Sequence, residues 1–300
     1  MLAPGARNAI TDVAGVRVGH AQAAAGERTG VTVVAPPALP ARAGVATVNG
    51  TGALVASLEI AETGWMQTPV YLCGTHALGT VTQAAIVASG NGPDAVLIPV
   101  VGECDDGELA DSRTVVAGDV TAALAGLGDA VTEGNMGAGT GMQCFDFPGG
   151  IGTASRVAGD WTVGVLLLCN FGDREYLDLP GTRLPPAARH DRDGSCIAVC
   201  ATDAPLSALQ LRRLALRPLL GLARVGSYAS EGSGEIGLAF SVGGGSELGD
   251  GELSPLFAAA YEAAHEAVLN CLVAARPAQR LDGSMQDAFP LDVVRDASAR

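Results

Sequence analysis

Lysine is absent from this chain of 300 residues, so all 18 of its basic side chains are arginine. The absence excludes Schiff-base catalysis and the phosphate-gripping lysine of a P-loop. Aromatic residues are scarce, at 4%, while 48% of the chain is hydrophobic, so its core must be built from Ala, Val, Leu and Ile. Positive charge is in deficit: 32 acidic residues leave a formal net charge of -14, which opposes the attraction that dominates nucleic-acid affinity. No stretch offers the roughly 18 uninterrupted apolar residues that span a bilayer, and the opening MLAPGARNAITDV has no basic segment ahead of an apolar one. Neither nucleic acid nor membrane is expected as a partner.

Histidine is rare. Its four copies, at 20, 76, 190 and 265, stand beside no obvious nucleophile, and the chain shows no clustered His/Cys/Asp set. No metal and no cofactor are expected. GAGTG (137–141), GGIGTAS and SVGGGSE lack the GxGxxG spacing of a dinucleotide site. The seven cysteines are an odd set placed in apolar runs such as VLLLCNF and VLNCLVAA, which predicts buried thiols in a reducing, cytoplasmic compartment. Cys196 and Cys200 read as core packing.

What is present is an ordered α/β pattern. The runs VRVGH, GVTVVAPP, GVATVNGTGAL, TPVYLCG and DAVLIPVVG predict strands, several of them apolar enough to be buried on both faces. HALGTVTQAAIVASG and RTVVAGDVTAALAGLGDAV carry apolar residues at helical spacing and stop at Gly. ASRVAGD and WTVGVLLLCNFG predict two more strands. From residue 174 to 194 the chain turns rich in Pro, Arg and Asp and reads as an exposed connector. SCIAVCATDAP then predicts a buried strand, APLSALQLRRLALRPLLGLARVG a helix, GEIGLAFSVGG a strand, and SPLFAAAYEAAHEAVLNCLVAA a helix with Ser254 at its N-cap and Pro255 at its first position.

The junction at the end of the connector is where chemistry is expected. Asp193-Gly194-Ser195 passes directly into an apolar strand with no intervening turn. Glycine before serine favours autoproteolysis by N-to-O acyl shift, because Gly tolerates the strained peptide geometry that brings the hydroxyl onto the preceding carbonyl. Cleavage would free an α-amino group with an ordinary pKa near 8, able to accept the proton of its own hydroxyl, so nucleophile and base would share one residue. Gly-Ser is also a common loop dipeptide, and by itself it decides nothing.

Six blocks decide more: NAITDVAGVRVGH (Asn8 to His20), TEGNMGAGTGM (Thr132 to Met142), GGIGTASR (Gly149 to Arg156), VGVLLLCNFGDR (Val163 to Arg174), DGSCIAVCATDAPL (Asp193 to Leu206) and SGEIGLAFS (Ser233 to Ser241). In order along essentially the whole chain, they resemble the DmpA-type aminopeptidase family, which contains L-aminopeptidase/D-esterases and β-peptidyl aminopeptidases. The resemblance implies that Ser195 is the nucleophile and that scission after Gly194 yields chains 1–194 and 195–300. It implies that Ser233 and Glu235 orient the nucleophile and manage protons around its amine; two residues apart on a strand, they share a face. Asn170 matches the oxyanion-stabilising Asn, and Glu133 a position near the substrate's amino group. Asn135 is expected to shape the pocket wall. Trp65 stands as a further substrate-binding candidate, against the commoner core or interface role of an aromatic beside a strand.

The fold implied is a four-layer αββα sandwich of the DmpA/ornithine acetyltransferase type, one domain over 1–300, assembled into a homo-oligomer of cleaved units. The expected activity is removal of N-terminal L-, D- or β-amino acids from small peptides, amides or esters. An ornithine acetyltransferase-like acyltransferase is the alternative, disfavoured because that type uses Thr where this chain has Ser195; a non-catalytic scaffold on the same fold is the third.

Overall fold

The computed structural model describes residues 1–24, 28–179, 184 and 194–291. Most of the predicted connector (174–194) therefore lies outside the described residues. The apolar runs of the first half form β1 (Arg17–Gln22), β2 (Gly30–Ala35), β3 (Ala41–Gly50), β4 (Trp65–Met66), β5 (Val70–Gly74) and β6 (Val100–Cys104), with helices α1 (Ser57–Thr63), α2 (Leu78–Ala88) and α3 (Ala117–Ala125). The second half supplies β7 (Gln143–Cys144), β8 (Phe147–Pro148), β9 (Gly150–Ala158), β10 (Trp161–Asn170), β11 (Ser195–Thr202), α4 (Ala208–Ala223), β12 (Gly234–Ser241) and α5 (Leu253–Ala274), closed by the short hairpin β13 (Ala278–Gln279) and β14 (Met285–Gln286).

Two sheets dominate, one in the order β1-β2-β5-β6 and the other β4-β3-β12-β11-β10-β9. Strands buried on both faces need a layer on each side, and three apolar cores supply them. One lies between the four-stranded sheet and α2/α3, and includes Val33, Tyr71, Val81 and Val120. The second fills the space between the sheets, where Val34, Leu72 and Val100 meet Leu168, Ile197 and Leu238. The third, with Leu167, Ala198, Leu214 and Ala263, lies between the six-stranded sheet and α4/α5. The result is the expected αββα sandwich.

Two features of this frame matter for function. β11 is interior to its sheet, pairing antiparallel with β10 and parallel with β12, as its uniformly apolar sequence predicts. The six-stranded sheet also interleaves strands from both sides of the Gly194–Ser195 junction, so breaking that bond would leave the sheet's hydrogen bonding intact. One boundary is corrected. A 3-10 turn over Asp250–Glu252 runs straight into α5 at Leu253, so Ser254 is not the cap; it and Pro255 sit inside the first turn, where a missing N–H costs no helical bond.

Candidate active site

Ser195 opens β11 and is 6% exposed. Along β11, Ile197, Val199 and Ala201 face the inter-sheet core while Cys196, Ala198 and Cys200 face the helices. The two-residue alternation puts the Ser195 side chain on the inter-sheet face, towards Cys104 at the end of β6, whose thiol pKa burial pushes up and the Ser195 hydroxyl partly lowers. Backbone proximity explains why residue 194 is glycine: an added Cβ would stand 2.6 Å from the Phe171 Cα and closer still to the Asn170 carbonyl oxygen. The Gly194 carbonyl accepts a hydrogen bond from the Gly234 N–H at 3.2 Å, which polarises the carbonyl of the junction peptide.

Asn170 ends β10 directly opposite Ser195 in the antiparallel register. Its carboxamide is held at both ends: Nδ2 donates to the Asp105 carbonyl at 2.9 Å and Oδ1 accepts from the Gln143 N–H at 2.9 Å. A primary amide has two N–H donors, so one is left uncommitted, and the first fixes its direction.

On the other side of β11, Ser195 pairs with Gly234, which stands between Ser233 and Glu235. Both flanking side chains are 2% exposed, and the Ser233 hydroxyl donates to Glu235 Oε1. Glu235 Oε2 is buried with no hydrogen-bond partner. Burial raises the Glu235 pKa above the usual carboxylate range, and the Ser233 hydrogen bond opposes part of that rise. A buried carboxylate oxygen without a donor is costly unless a proton or a cation comes to it.

A further carboxylate, which sequence reasoning passed over, belongs to this end of the sandwich. Glu103 sits in β6 at 5% exposure, its Oε1 accepting from the Ala53 N–H at 2.7 Å and its Oε2 from the Thr75 hydroxyl. A Cβ built on Gly52 would lie 3.5 Å from Glu103 Oε1 and 3.7 Å from the Gly234 Cα, so the carboxylate borders the backbone that flanks Ser195. The signal was available: an acid inside the apolar run VLIPVVGEC must be paired or functional.

With this geometry in place, likeness to known proteins becomes informative. A family description, peptidase family S58, matches residues 8–286. This chain belongs to peptidase family S58. It is 39% identical to the beta-peptidyl aminopeptidase BapA of Sphingosinicella microcystinivorans, across 96% of this chain and 86% of that one. The beta-peptidyl aminopeptidase BapA of Sphingosinicella xenopeptidilytica is also 39% identical, across 90% and 82% of the two chains. Among solved structures, a Burkholderia beta-aminopeptidase superposes with a TM-score of 0.90 at 38% identity, covering 100% of this chain and 95% of that chain. The L-aminopeptidase D-Ala-esterase/amidase of Ochrobactrum anthropi, described as a prototype for the serine aminopeptidases and a variant of the Ntn hydrolase fold, gives 0.87 at 32% identity over 100% and 95%. The S58 protein described here is a serine aminopeptidase or amidase, acting on peptide or amide substrates, and the acyltransferase alternative is not favoured. Among the described residues, no helix is long and apolar enough to cross a membrane.

Three substrate-binding expectations do not converge on Ser195 in this S58 fold. Glu133 Oε1 accepts the Thr153 N–H at 2.8 Å in β9. Thr153 pairs with Leu166 and Leu166 with Val199, so the Thr153 that Glu133 meets lies about 16 Å from Ser195 by strand spacing and rise. Asn135 is tied to the backbone beyond α5, exchanging two hydrogen bonds of 3.1 Å with Arg276. Both line a separate pocket of about 700 Å³ with Gln22, Arg28 and Met136. Trp65 pairs with Arg42, in register with Ser241 and Thr202 at the far ends of β12 and β11, so it occupies the opposite end of the sheet. Among the described residues, Cys144, Cys169 and Cys271, which are far apart in sequence, converge in space. All seven cysteines are free and buried, as predicted.

Proposed function

We propose that this S58 peptidase matures by breaking the Gly194–Ser195 peptide, and that the freed Ser195 is the nucleophile of its aminopeptidase chemistry. The observation that carries the reading is the placement of one peptide. Its carbonyl is hydrogen-bonded by Gly234, its glycine admits no side chain, and its serine sits between Asn170 and the Ser233–Glu235 pair. Addition of the Ser195 hydroxyl to the Gly194 carbonyl, expulsion of the Ser195 nitrogen and hydrolysis of the resulting ester would separate 1–194 from 195–300.

The new α-amino group lies one register position from Glu235, which pairs with Cys196. Glu235 Oε2, buried and unpartnered, then has a cation to meet. In turnover the neutral amine takes the hydroxyl proton, Oγ attacks the substrate's acyl carbon, and the second Asn170 N–H stabilises the oxyanion. The leaving amine departs with a proton, and water releases the acyl group from Ser195. We assign the substrate's ammonium to Glu103 in place of Glu133, on position: Glu103 borders the Ser195–Gly234 pair and Glu133 does not.

The named activities of the relatives support β-aminoacyl amides as the first substrate class to test, with L- and D-aminoacyl amides and esters beside them. We further propose a homo-oligomer of cleaved units, supported by apolar side chains left exposed on the sandwich such as Leu58 and Val87, and a reducing cytoplasmic setting, supported by the seven buried thiols. The deciding experiment is the mass spectrum of purified protein. Two species split after Gly194 are expected, whereas Ser195→Ala remains whole and fails to hydrolyse a β-alanyl chromogenic amide. An uncleaved wild type with full activity overturns the reading. Light scattering checks the assembly, with a single-chain mass as the adverse result.

A further inference from the structure

Cys144 in β7, Cys169 in β10 and Cys271 near the end of α5 are far apart in sequence, yet their Sγ atoms all lie within 4.8 Å of one another. All three are fully buried in the apolar core beneath the helices, whose lining includes Phe147, Ala267 and Leu272. The packing confines them. An added Cβ at Gly149 would stand 2.7 Å from the Cys144 Cβ, and one at Gly152 would stand 2.9 Å from the Cys271 Cβ, so the backbone entering and beginning β9 closes in on both.

We propose that these three thiols form a binding site for a trivalent thiophilic ion of the arsenic(III) or antimony(III) class. Thiolate-to-ion bonds of about 2.3 Å at pyramidal angles of about 100° would set three sulfurs about 3.5 Å apart, so sulfurs that now lie within 4.8 Å of one another would be drawn together by side-chain rotation. Charge selects among soft ions. Zinc held by three thiolates leaves a net negative charge, and copper(I) leaves more, in a core cluster built of apolar side chains. A trivalent ion with three thiolates is neutral, and its lone pair makes a three-coordinate pyramid complete without a fourth ligand. Loading balances without redox change: As(OH)3 and three thiols give one arsenic held by three As–S bonds and three waters. The ligands come from both sides of Gly194, two before and one after, so a bound ion would cross-link the two cleavage products. Binding itself requires no cleavage and is read without any activity assay.

The test uses sodium arsenite with reduced, full-chain protein, loaded both in the folded state and during refolding from urea, because the sulfurs are wholly buried. After removal of excess, elemental analysis should find one arsenic per chain, and X-ray absorption should show a shell of three sulfurs. Cys271→Ser and Cys169→Ser should each lose the bound arsenic, while Cys73→Ser and Cys200→Ser keep it. If the serine variants do not fold, the stoichiometry and sulfur shell of the wild type still decide. No retained arsenic after either procedure, a shell of fewer than three sulfurs, or full retention by a folded Cys271→Ser would overturn the proposal.

Discussion

The two ends of the β11/β12 pair are built from similar residues and differ in how their polar atoms are satisfied. At the far end, Thr202 and Ser241 are buried, and each hydroxyl both donates and accepts. Thr202 donates to the Thr162 carbonyl at 2.8 Å and accepts from Ala204 at 3.1 Å, while Ser241 donates to the Ala204 carbonyl at 2.6 Å and accepts from Gly243 at 3.1 Å. At the near end, Ser195, Ser233, Glu235 and Asn170 are as deeply buried, but Glu235 Oε2 has no partner and Asn170 uses only one amide hydrogen to grip Asp105. Closed hydrogen bonding at one end stabilises the sheet. Open valence at the other is a cost the fold retains, at the end where the proposed chemistry needs a proton and an oxyanion to be met.

The contrast can be broken or sharpened in order of effect. Gly194→Ala forces a methyl onto the Asn170 carbonyl and should leave a single uncleaved species by mass spectrometry, with hydrolysis down by about 10⁴-fold or more, as when a nucleophile is removed. Cleavage at the wild-type rate would show that the close approach is not what selects glycine. Asn170→Ala should lower kcat by about 10²- to 10³-fold in steady-state kinetics on the cleaved enzyme; an unchanged kcat would remove it from the oxyanion site. Ser241→Ala, at the closed end, should cost about 1–2 kcal/mol in urea unfolding and leave cleavage and kcat intact, since it orphans only structural bonds. Loss of cleavage there would erase the distinction between the ends.

The smallest effect concerns Glu133, outside both ends. Burial raises its pKa from 4.5 to about 7, so the folded chain binds that proton more tightly than the unfolded chain does. Stability should therefore fall as pH rises from about 4.5 to about 7 and stay lower above it. Glu133→Gln should remove that slope and gain about 1 kcal/mol at pH 8 relative to pH 4, discounted for its partial exposure. If Glu133 instead served the substrate's ammonium, KM would rise sharply in the same variant.

Much of this was legible along the chain. An interior strand starting at Ser195, a glycine ahead of it, a strand ending in Asn170 and the Ser233/Glu235 spacing are local patterns, and each appears where the pattern puts it. At the start of α5, Ser254-Pro255 imitates a cap, whereas the turn at Asp250–Glu252 feeds the helix directly. Glu133 and Asn135 were misplaced for a different reason: they share a glycine-rich segment that crosses the sandwich, and composition does not say which strand it crosses.

By itself, then, the sequence determined the principal strands and helices, the burial of both faces of β11, and the one peptide where glycine meets serine at a strand start, because periods of two and of about 3.6 residues are properties of the local chain. Only the tertiary structure decided that Glu103 comes from the other sheet to the Ser195 end, that Trp65 stands at the opposite end, and that three distant cysteines share one point. Those facts depend on strand order and register, which are set by how the layers pack across the whole fold and leave no trace in any short run of residues.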